Sequence, residues 1–76
     1  MRHSRADYND LAELIRRIPP DEPVFLIRGQ DQVAGDAVRA WADLHEQAGG
    51  DPEVSRLARE QAKLMDAWPK KKLADL

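Results

Sequence analysis

Apolar residues recur at helical spacing in three stretches of this chain, separated by short runs of proline and glycine. Tyr8, Leu11, Leu14, Ile15 and Ile18 fall at i, i+3, i+6, i+7 and i+10. That single stripe predicts a first helix over about 7–18. Asp7 or Ser4 is placed to cap its start. Pro19-Pro20 ends it, because neither proline donates a backbone hydrogen bond and each disfavours helix in the residue before. Val24-Phe25-Leu26-Ile27 is different: it is rich in β-branched and aromatic residues and does not alternate with polar ones. It predicts a short strand over about 24–28 covered on both faces, with Pro23 where strands tolerate proline and Gly29 breaking the run.

A second helix is predicted over 31–48. Ala34, Ala37, Val38, Trp41, Leu44 and Ala48 line its inner face, which puts Trp41 in the core, and Asp36, Arg39, Asp43 and Glu46 face outward. Gly49-Gly50 supplies the left-handed residue that closes helices. A third helix is predicted over 51–68, with Asp51 as N-cap, Pro52 at the first helical position and Glu53 well placed for the helix dipole. Val54, Leu57, Ala58, Gln61, Met65 and Trp68 mark its inner side, and Pro69 stops it. The two-glycine connection makes the second and third helices an antiparallel αα-hairpin. The tail, Lys70 to Leu76, either frays or lies as a second strand beside residues 24–27. The expected fold is therefore α+β and helix-rich, three helices and one short strand, in a single domain over residues 1–76.

With 76 residues and no cysteine, the core of such a domain supplies only about 3–5 kcal/mol, and disulfides, thiolate zinc sites and thiol catalysis are excluded. The opening residues lack an apolar signal core, and the longest apolar run has four residues, too short for a membrane span. A cytoplasmic protein is expected. Twelve basic and fourteen acidic side chains leave a net charge of −2, which argues against a general nucleic-acid binder.

Candidate chemistry is sparse. His45-Glu46 opens like a zincin motif, but Gly49 stands where the second histidine is needed. Ser4 and Ser55 lack activating neighbours, and no Gly-rich phosphate loop occurs. No enzymatic activity, metal or cofactor is expected. Arg56, Arg59 and Lys63 form a basic stripe on the third helix, and with Lys70–Lys72 they carry the alternative reading of a small DNA-binding or regulatory protein. Asp31, Asp36, Asp43 and Glu46 stand against one base, Arg39, between Gly29 and Gly50. That acidic face could dock on a basic protein groove. A structural or assembly factor is a third reading.

Three stretches, Asp21 to Asp31, Val38 to Leu44 and Ala67 to Lys71, together resemble a family of short phage and prophage proteins, some of which look like type I-C anti-CRISPR proteins. The resemblance implies a stoichiometric inhibitor, monomeric or homodimeric, that binds a subunit of the Cascade effector in the host cytoplasm and keeps it from target DNA. Such effectors grip nucleic acid in positively charged channels. Asp36, Asp43 and Glu46 are accordingly candidate partner-binding residues, with Trp68, beside the lysines, as a candidate anchor.

Overall fold

A computed structural model describes residues 11–75. Two long helices carry the fold. A six-residue helix, α1, spans Leu11–Arg16; α2 spans Ala34–Gln47 and α3 spans Pro52–Ala67. The only pair of these helices that pack on each other is α2 and α3.

Local signals set the ends of the hairpin. Gly49 adopts φ 86°; its N–H donates to Glu46 O and that of Gly50 to His45 O, the two bonds of a Schellman closure. Gly50 serves a different purpose. A Cβ there would collide with the His45 ring, so the imidazole lies over a bare Cα. The Asp51 side chain accepts from Glu53 N at 2.9 Å, and Pro52 follows at the first helical position. At the far end Trp68 is already extended, φ −64° and ψ 122°, as the residue before Pro69 must be. The start of α2 falls later than the predicted residue 31: Asp31 accepts from Val33 N at 3.0 Å, forming a turn that leads into the helix.

The helices approach over small side chains. Ala34, Ala42, Ala62 and Ser55 are fully buried, and the Ser55 hydroxyl donates to Ala42 O at 3.3 Å. Gly35, also on this face, leaves room for the Asp66 carboxylate, which occupies the space a Cβ would fill. This corrects the expected inner face of α2. Trp41 is 50% exposed and Leu44 62%, because α2 is turned so that its small residues meet α3. A tryptophan at the crossing would hold the two backbones apart and break the bonds just described.

The α+β expectation is overturned as well: the described residues are helical with no strand. Residues 23–28 form neither helix nor strand, and Val24, Phe25 and Leu26 are 70%, 87% and 83% exposed rather than covered. The tail does return to the body, but not beside 24–27. Lys72 N donates to Gln30 O at 2.8 Å and Gln32 N to Lys72 O at 3.0 Å, a single parallel bridge at Asp31 and Lys72. Among the described residues the apolar run thus has no second segment to pair with, and an unpaired segment is not a sheet. The first helix is shorter than predicted where it is described, ending at Arg16 before Pro19; its predicted start at residues 7–10 and its caps lie outside the described residues. No described helix is long and apolar enough to cross a membrane.

Candidate partner-binding surfaces

Charged side chains of the hairpin are largely spent on one another. Arg39, on α2, reaches Asp36 at 2.8 Å on its own helix and Asp66 at 2.8 Å on α3. Arg59, on α3, does the converse and binds Asp43 at 2.7 Å and Glu46 at 2.6 Å on α2. Each guanidinium fork joins two carboxylates, and the two bridges run along one flank of the hairpin. Arg56 pairs within α3 with Glu53 and Glu60.

The electrostatic consequences follow from these contacts. The Arg59 hydrogen bond holds Glu46 below the ordinary carboxylate value, the Arg39 hydrogen bond does the same for Asp66, and Arg56 for Glu53. Arg39 and Arg59 are raised by the same bonds. The acidic candidates Asp36, Asp43 and Glu46 stay exposed on the surface of α2, but each is paired with an arginine, so the negative charge of this face is partly neutralised. The basic stripe meets the same fate, since Arg56 and Arg59 are both engaged; the charge available for a DNA backbone is smaller than the residue count suggests.

Trp68 stands apart from these three acids, past the end of α3, and is 53% exposed. Its inner edge backs on Gly29, where a Cβ would lie 3.6 Å from Trp68 Cβ. Lys71 locks this corner: its Nζ donates to Gly29 O at 2.8 Å and also to Met65 O, a cation placed on the carbonyl end of α3 where the dipole favours it. Lys72 pairs with Asp75 at 2.9 Å. An open depression lies in the same region, between Leu26, Arg28, Lys72 and Asp75. Two acids, Asp31 and Asp75, and two bases, Arg28 and Lys72, line it, with Lys72 and Asp75 already paired with each other.

The surface that sequence reasoning missed is the apolar run Val24–Leu26 itself. Val24-Phe25-Leu26 presents three large apolar side chains to solvent in a segment whose backbone N–H groups bond to no other described residue. A signal for it existed. The chain holds one β-prone run and no second one of comparable character, so a sheet within the chain had no partner strand. A second exposed apolar feature is the ridge of Trp41 and Leu44 on α2, where the Trp41 ring stacks on His45 at 4.9 Å and 15°.

The chain matches no protein-family model, no curated protein and no solved structure. The functional reading rests on the surfaces themselves.

Proposed function

We propose that this protein acts by binding another macromolecule, with the exposed apolar segment Val24–Leu26 as the principal contact. The observation that carries the reading is the exposure of Phe25 and Leu26, 87% and 83%, in a segment outside any helix or strand whose backbone N–H groups bond to none of the described residues. An exposed apolar run of this kind is costly in a free protein and is characteristic of an interaction site. Its backbone is open to strand addition and its side chains to pockets, the two components of strand-type recognition. The partner that the family resemblance implies is a protein subunit of the type I-C Cascade effector in the cytoplasm of an infected bacterium. The protein would act there as a stoichiometric, non-catalytic inhibitor that occludes a site needed for target DNA.

Binding of the purified protein to purified type I-C Cascade tests this, read by co-elution and by loss of target-DNA binding. The double variant Phe25→Asp/Leu26→Asp removes the apolar contact at positions that contribute little to folding, so its circular dichroism should match that of the parent. A normally folded variant that loses capture of Cascade supports the proposal. Retained capture sinks the assignment of the segment, and no binding by the parent protein sinks the assignment of the partner.

A further inference from the structure

Beyond α3 the chain is held to the body by polar bonds rather than by burial. Trp68 still backs on Gly29, but every residue from Pro69 to Asp75 is exposed, Leu73 at 66%. Two of the bonds are between backbones, Lys72 N to Gln30 O at 2.8 Å and Gln32 N to Lys72 O at 3.0 Å. Two more leave the Lys71 ammonium, for Gly29 O at 2.8 Å and for Met65 O. A segment held by exposed hydrogen bonds, with little apolar burial, opens locally at a lower free energy than the cooperative core, because water replaces each bond as it breaks. The hairpin closes over Ala34, Ala42, Ser55 and Ala62. None of these belongs to the tail, so the tail can leave without opening the hairpin.

Lys71 is the fastener. Its ammonium joins three pieces of chain: the tail, residue 29 and the last turn of α3, where carbonyls lack helical partners and the dipole favours a cation. Lys72 does not share this part, since its ammonium turns to Asp75 at 2.9 Å, within the tail itself. A charged donor makes a stronger hydrogen bond than a neutral one, so the attachment is concentrated in a single side chain.

We propose that residues 69–75 are a strap, fastened by Lys71, that opens as a unit while α2 and α3 stay paired. Closed, the strap occupies Gln30 O and Gln32 N and lines one side of the depression whose other side is Leu26, Arg28, Gln30 and Asp31. Open, it leaves those two backbone groups free, a few residues from the exposed apolar run. The tail is thus an internal occupant of backbone that a partner's strand could pair with instead. That use of the opening rests on the reading of Val24–Leu26 as the contact; the opening itself does not.

Amide hydrogen exchange of the full chain, followed by NMR with no partner present, tests the strap separately from that reading. The Gln32 and Lys72 amides should be protected to the same degree, and at least about tenfold less than those of Ala42 and Ala62 in the helix interiors. Low urea should accelerate the helix amides but not these two, because opening the strap exposes little surface. Lys71→Met should lower the protection of Gln32 and Lys72 by about a further tenfold, as loss of a charged hydrogen bond does, and leave the helices unchanged. Lys72→Met removes the same charge one residue away and should not have this effect. Exchange as slow as in the helices, with the same urea dependence, overturns the proposal by making the tail part of the cooperative fold. Unequal protection of the two amides, or none at either, overturns it as well. Equal effects of the two lysine variants would remove Lys71 as the fastener and overturn it too.

Discussion

The close approach of α2 and α3 makes Ala42 the most informative single position in the hairpin. Ala42→Leu adds three carbons to a site with no exposed surface, under the Ser55 hydroxyl that bonds its carbonyl at 3.3 Å. Alanine and leucine have nearly equal helix propensity, so the change reports packing alone. If the hairpin opened to admit the side chain, burial would return about 0.8 kcal/mol for each added carbon. Opening, however, separates the helices at Ala34, Ala62 and Ser55 together and stretches the Arg39–Asp66 and Arg59–Glu46 bridges. The net expectation is a loss of about 1–3 kcal/mol, as overpacking costs in close-packed sites. Set against about 3–5 kcal/mol for a domain of this size, that is a large fraction of the whole. Urea denaturation followed by far-ultraviolet circular dichroism provides the measurement. With a slope of about 1 kcal/mol per molar for so short a chain, the midpoint falls by about 1 M or more. Ala67→Leu, exposed at the last position of α3, is the control and should change stability by less than about 0.5 kcal/mol. An Ala42→Leu protein as stable as its parent would refute the crossing described here.

Gly49→Ala should cost about 1 kcal/mol, since φ 86° places a Cβ in the left-handed region; an unchanged thermal midpoint would mean that the helix ends elsewhere. Arg59→Glu should lower the urea midpoint by turning two bridges into repulsion with Asp43 and Glu46, and the added exchange Glu46→Arg should restore part of the loss in a double-mutant cycle. Stability should also depend on acid in a defined direction. Glu46 and Asp66 have folded-state values below their ordinary 4.5 and 3.8, so the unfolded chain binds protons first. The stabilisation they provide is complete above about pH 4.5 and is lost as the pH falls through the depressed values. Urea midpoints measured from neutral pH downward should decline only in that acid range, and Arg59→Gln should flatten the part of the decline that Glu46 causes.

Much of the hairpin was readable in the residues because its signals are local. Asp51-Pro52-Glu53 starts α3, Gly49 closes α2 and Pro69 stops α3, and each acts on backbone groups within a few positions of itself. No distant partner is needed for those effects, so a linear reading finds them. The same holds for the antiparallel sense of the two helices, which a two-glycine connection leaves little freedom to change.

What only the tertiary structure decided depends on which distant groups meet. Val24–Ile27 has the composition of a strand, but a strand exists only through a neighbour's backbone, and the tail spends its pairing on residues 30–32. Trp41 falls on the apolar stripe of α2, yet the helix turns smaller residues toward α3, because Ser55, Ala62 and Asp66 require a backbone approach that an indole forbids. Asp43 and Glu46 look in sequence like a solvated acidic face. Arg59 lies 16 and 13 residues away, and only the folded hairpin brings it between them. Helix ends are decided by the nearest few bonds, so the sequence alone determined them; faces, pairings and free surfaces are decided by rotation and approach of whole elements, which no single stretch of residues specifies.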